Sequence, residues 1–173
     1  MKKKTSAQTV ATGGLLTAVM LVLGYVEHMI PIGSAVPGIK LGLSNSVLLF
    51  ALYMMGARQA FVLMLVKVVL SGLLFGGVSA MMYSFAGGLL SMLAMILMRR
   101  MPGVGIVGVS VVGAVMHNVG QVGMAMLVLQ TSKLMYYMAI LILVGVGTGA
   151  LTGIVAGAVM QALGRIAARK DLQ

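Results

Sequence analysis

Residues 58–100 read RQAFVLMLVKVVLSGLLFGGVSAMMYSFAGGLLSMLAMILMRR, and the fold follows from how this stretch is divided. It opens on Arg58 and closes on Arg99-Arg100, with Lys67 as its one interior charge. A helix rises 1.5 Å per residue and the hydrocarbon core of a bilayer is ~30 Å thick, so about 20 residues cross it. The stretch is too long for one crossing and long enough for two. Gly76-Gly77 is the place to divide it, because paired glycines punctuate a helical run. The reading is two apolar helices, about 59–75 and 80–98, with Arg58 and Arg99-Arg100 on the same membrane face. Apolar and polar positions do not alternate, so these are not barrel strands.

The rest of the chain has the same character. Of 173 residues, 61% are hydrophobic and 8% are charged, with a mean hydropathy of +1.13. That charged fraction is about a third of the ~25% found in soluble domains, too little to cover a water-facing surface. Further apolar runs cover about 10–30, 41–55, 104–129 and 135–163, separated by Gly, Pro or charge clusters. The expected fold is all-α: one integral membrane domain over 1–173, a six-transmembrane-helix bundle. Lys2, Lys3, Lys4, Arg58, Arg99, Arg100, Arg165, Arg169 and Lys170 then gather on one face, against Lys40 and Lys133 on the other. By the positive-inside rule both termini are cytoplasmic, N-in and C-in. Lys2-Lys3-Lys4 before an apolar run also resembles the start of a signal peptide. No convincing small-x-small cleavage site follows, so the run is read as an uncleaved first helix, although the charge bias tolerates either.

Topology accounts for most of the net charge of +10, so no nucleic-acid partner is expected. There is no cysteine, which excludes thiol catalysis, disulfides and thiolate metal sites. The two histidines, His28 and His117, and the acidic residues Glu27 and Asp171 are too few for a metal cage. No metal and no cofactor are expected.

The informative residues are the polar ones inside apolar runs. Lys67 lies about 13 Å from either end of its helix, too deep to snorkel, where a lysine costs about 2.5–3.5 kcal/mol. It is read as facing the bundle interior, either as a structural ion pair with Glu27 or as a site for an anion or proton. His117, Asn118 and Gln121 are spaced so that all three can share one helix face, as interhelical glue or as ligand-orienting groups. Residues 31–46, PIGSAVPGIKLGLSNS, form the longest interruption in the apolar sequence. With Lys40 and Asn45 they are read as an outer lid over the pocket formed by the other polar residues, or as a plain outer loop. The candidate substrate-binding set is Glu27, Lys40, Asn45, Lys67, His117, Asn118 and Gln121. Gly145, Gly149, Gly153 and Gly157 recur every four residues, a seam for close packing within the chain or, less favoured, for docking a partner. The methionines are mostly apolar filler.

Three motifs carry a resemblance: Pro37-Gly38-Ile39-Lys40-Leu41-Gly42-Leu43-Ser44-Asn45, Lys67-x-x-x-Ser71-Gly72-Leu73-Leu74-x-Gly76, and His117-Asn118-x-Gly120-Gln121. Together, over about 9–165, they resemble the Gx transporter family, also catalogued as heptaprenyl diphosphate synthase component I. That family is similar to the substrate-binding (S) subunits of energy-coupling-factor (ECF) importers, which carry a small-residue stripe on the first helix. Here Gly14-x-x-x-Ala18 is a looser version. The resemblance implies a multi-pass protein of the bacterial plasma membrane that works with a scaffold subunit and an ATPase pair. No G-x-x-x-x-G-K-[ST] is present, so ATP hydrolysis would come from those partners. Lys40 and Lys67 favour an anionic group on the substrate, and the apolar walls favour a hydrophobic body, as in a vitamin, a flavin or a quinone or isoprenoid precursor. The enzyme reading, component I of a prenyl diphosphate synthase, lacks the aspartate-rich motif that holds magnesium diphosphate, so this chain is expected not to be a catalyst. A non-transporting membrane assembly protein is the third possibility.

Overall fold

The computed structural model describes residues 6–29 and 44–170. Among these there is helix and no strand. The helices are α1 (Ser6–Met29), α2 (Asn45–Met54), α3 (Ala57–Ser71), α4 (Gly77–Arg100), α5 (Ile106–Leu129) and α6 (Leu134–Lys170), with a π-helical turn, Gly72–Gly76, joining α3 to α4. Four helical runs are long and apolar enough to cross a membrane: Ala7–Met29, Ala57–Arg100, Ile106–Leu129 and Leu134–Arg165. Large apolar side chains such as Leu15, Leu73, Leu97, Leu127 and Leu143 stand exposed around the bundle. A soluble monomer does not show such a girdle; lipid covers it.

One boundary differs from the sequence reading. Helical structure is unbroken through Gly76-Gly77, so the described residues form five continuous helical runs rather than six. The backbone nevertheless reverses there. Gly77 takes φ +69°, a conformation that favours glycine, and the arms fold back so that Gly72 meets Met81 and Gly88 meets Met64. The π turn keeps the hydrogen-bond ladder going where a helix break was expected. As described, α2 has 10 residues, about 15 Å of helix, and lies within the expected span 41–55, of which 41–43 fall outside the described residues. Gly56, at φ +97°, ends it, and α3 starts at the next residue.

Neighbouring contacts fix the direction of each helix. Gly13 lies by Leu63, Gly24 by Ser71, and the Tyr25 ring is 5.5 Å from that of Phe75, so α1 runs parallel to α3. α2 runs against both, from Ser44 beside Glu27 to Leu52, whose carbonyl accepts a 2.6 Å hydrogen bond from Arg99. The Arg99 guanidinium also lies 4.8 Å from the Tyr53 ring centroid. A cation placed on the last carbonyls of α2 suits the negative end of the helix dipole. α4 is antiparallel to α5, and α5 to α6, as Met95 by Gly113 and Ala114 by Gly149 show.

α2 is the hub. It packs against each of the other five helices and buries Asn45, Val47, Leu48, Leu49, Ala51 and Leu52. Around it lies the larger apolar core, with Met20, Met64, Met92 and Met95 all fully buried. Flexible methionines fill the uneven gaps around a short helix. A smaller core of Tyr83, Val122, Ala125 and Leu141 ties α4, α5 and α6 nearer the Gly76-Gly77 end.

Glycine sets how closely the last three helices approach. A Cβ on Gly149 would stand 2.7 Å from Val111 Cα, and one on Gly153 would stand 2.8 Å from Val107 Cα. These glycines, with Gly145, are the part of the seam used for packing within the chain. Gly157 and the α1 stripe at Gly14 have nothing within 4 Å. Between α4 and α5, a Cβ on Gly120 would meet Ala86 O at 2.7 Å and Gly87 Cα at 2.8 Å, neither of which can give way as a side chain can. Gly120→Ala should therefore destabilise the protein by about 1–3 kcal/mol in thermal or chemical unfolding in detergent. Gly123→Ala, with open space at its Cβ position, should not.

Candidate functional site

The polar interior begins where α1, α2 and α3 meet. Lys67 sits mid-helix and is 5% exposed. Its Nζ donates a 3.1 Å hydrogen bond to Asn45 Oδ1 at the start of α2. Ser44, one residue earlier, donates to Glu27 Oε2 at 3.3 Å. Both partners of Lys67 and Glu27 are thus presented by the first residues of one short helix. Ser71, one turn beyond Lys67 on the same face, is also buried. Three of the predicted residues, Glu27, Asn45 and Lys67, come together in this way. Lys40, and with it the proposed lid, lies outside the described residues.

The α5 triplet divides between two neighbours rather than sharing one face. His117 and Gln121 lie against α4, where a Cβ on Gly87 would stand 2.7 Å from Gln121 Cγ and from His117 O. Asn118 turns to α6 and donates a 2.7 Å hydrogen bond to Leu141 O. All three are essentially inaccessible. Asn118 thus serves as interhelical glue, whereas His117 and Gln121 are buried at the level of the Gly87-Gly88 pair. Gly87 admits α5 on one side of α4 and Gly88 admits Met64 of α3 on the other.

Sequence reasoning passed over the small hydroxyl side chains. Ser84, Ser91 and Ser110 are buried, and Ser110 hydrogen-bonds Thr152 of α6 at 3.1 Å. Lone serines in glycine-rich helices look like small packing residues, whereas Ser44 and Ser71 stand within the motifs that carry the family resemblance.

Two cavities adjoin the junction. A polar one of ≈ 10 Å³ is lined by Asn45, Ser46, Ser91, Ser110 and Thr152 among others. An apolar crevice of ≈ 410 Å³ lies between α1, α2 and α6, with Thr12 and Ser46 as its polar lining residues. Ser46 lines both, so the crevice reaches the edge of the polar interior. Among the described residues no group of three His, Cys, Asp or Glu could hold a metal ion.

If Asn45 holds the buried ammonium, the two residues are coupled. Asn45→Ala should cost more stability in the native chain than in a Lys67→Met background. The double-mutant cycle should return a coupling of about 1–2 kcal/mol, read by unfolding in detergent.

Comparison with known proteins gives one positive result. No curated protein and no solved structure matches this chain. Residues 16–159, most of the sequence, match the family described as heptaprenyl diphosphate synthase component I. The chain is a membrane protein belonging to the heptaprenyl diphosphate synthase component I family.

Proposed function

We propose that this chain is the membrane-embedded substrate-binding subunit of an importer, similar to the S components of ECF transporters, for a small, partly apolar, anionic molecule. The observation that carries the reading is Lys67: a lysine buried mid-helix in an apolar bundle and hydrogen-bonded to Asn45 at 3.1 Å. Ionisable groups at such depth mark substrate or ion sites by default, because their insertion is unfavourable. Glu27, from a third helix, accepts from Ser44 beside this pair. An anionic group would sit with Lys67, and an apolar body would suit the surrounding side chains. Vitamins, flavins and quinone or isoprenoid precursors have this chemistry.

The alternating directions of α1 to α6 support six passes, with α1 starting and α6 ending on the Arg58 face. Arg58, Arg99, Arg100 and Arg165 support that face being the cytoplasmic side of a bacterial plasma membrane. Energy for uptake would come from a scaffold subunit and an ATPase pair. The chain has no cysteine, so topology is directly testable. A single cysteine at Ser132 should react with an impermeant thiol reagent from outside intact cells. One at Met101 should react only after permeabilisation. The reverse pattern, or both from one side, contradicts the topology.

A second reading, an accessory subunit that holds a prenyl chain for a separate synthase, is favoured by the apolar crevice between α1, α2 and α6. Catalysis by this chain itself is not proposed: its two acidic residues cannot form paired magnesium-binding motifs. A thermal-shift screen in detergent over vitamins, flavins and prenyl diphosphates tests the two. Stabilisation by an anionic vitamin or flavin, abolished by Lys67→Ala, supports the importer subunit. Stabilisation by prenyl diphosphate alone, with chain elongation on adding a soluble partner, supports the accessory role. No stabilisation by any compound sinks both and leaves a membrane assembly role.

A further inference from the structure

The polar cavity between α2, α4, α5 and α6 contains more hydrogen-bonding capacity than its own residues use. Asn45 Oδ1 is taken by Lys67, but Asn45 Nδ2 is buried and finds no partner among the described residues. Ser91 Oγ, on α4, is likewise buried without a partner. Both residues line the same cavity, at 6% and 2% exposure. Ser110 and Thr152 line it from α5 and α6 and are joined by their own 3.1 Å hydrogen bond. Two orphaned buried groups of this kind are costly, at about 1–3 kcal/mol each, and native proteins rarely tolerate them.

The cavity measures ≈ 10 Å³. That is about the room one water molecule requires, and a water is stable in such a place when two to four polar groups can bind it. We infer that this cavity is a built site for a single water, which accepts from Asn45 Nδ2 and bonds Ser91 Oγ. Its remaining capacity is within the lining of Ser110 and Thr152. A sodium ion suits the site poorly. The Asn45 amide presents a donor, Lys67 holds the other end of that amide, and no carboxylate lines the cavity among its described residues.

The water completes a connection that the side chains leave open. Glu27–Ser44 and Lys67–Asn45 link α1, α2 and α3. Ser110–Thr152 links α5 and α6. A water that bonds Asn45, Ser91 and the Ser110–Thr152 pair joins these groups, so that one polar residue or more from each of the six helices belongs to a single brace. This inference does not depend on what the protein binds or transports.

The native protein in a lipid environment, solved at a resolution that shows ordered water, gives the direct test. A density peak within hydrogen-bonding distance of both Asn45 Nδ2 and Ser91 Oγ is expected. An empty cavity, or side chains collapsed into it, overturns the proposal. Ser91→Ala gives an independent sign. If Ser91 binds a water, the variant loses about 2–4 °C in Tm. If the hydroxyl is truly unsatisfied, removing it relieves a penalty and Tm rises, which contradicts the proposal. A Tm that depends on sodium, compared with choline at equal ionic strength, would assign the cavity to a cation and overturn the water.

Discussion

A lysine amine placed in the middle of an apolar bundle must find polar partners inside the protein, and this requirement organises the molecule. Lys67 is too deep on α3 to reach water along its own stem. Its partner, Asn45, stands at the described start of α2. Ser44 and Asn45 there lie at the depth of Lys67 and Glu27. α2 lies at the centre, where it touches all five other helices. Its far end is held by Arg99, which satisfies Leu52 O and covers Tyr53. α2 is thus tethered at both ends by basic side chains from other helices, Lys67 at one and Arg99 at the other.

Small residues do the complementary work. α4, α5 and α6 close on one another at backbone distance through Gly87, Gly120, Gly149 and Gly153. That approach makes the second half a tight three-helix unit, and it places Asn118 and Ser110 where they bond α6 directly. The first half is held differently, by long side chains and by α2. The polar interior lies along the line where these two kinds of packing meet.

Much of this was legible in the sequence. Composition gave the membrane class, and the Arg58, Arg99-Arg100 and Gly76-Gly77 punctuation gave the reversal of α3 on α4. The depth of Lys67 predicted its inward orientation. What could not be read was the neighbour of each side chain. His117 and Asn118 are 100° apart on a helix, a separation that permits one shared face or two neighbouring helices. Only the positions of α4 and α6 decide that His117 and Gln121 meet one and Asn118 the other. Ser91 and Ser110 gave no signal, because a serine among glycines reads the same whether it packs or bonds.

The central claim is that α2 is a structural hub fixed by its tertiary contacts rather than a peripheral turn of helix. Isolated helices of 10 residues are marginal, and their amides exchange freely. Hydrogen–deuterium exchange on the native protein in lipid nanodiscs measures this directly. Amides of 45–54 should be protected as strongly as those of α4 and α5, and Asn45→Ala should selectively release them. Exchange in 45–54 as rapid as in a frayed terminus, or no response to Asn45→Ala, would contradict it.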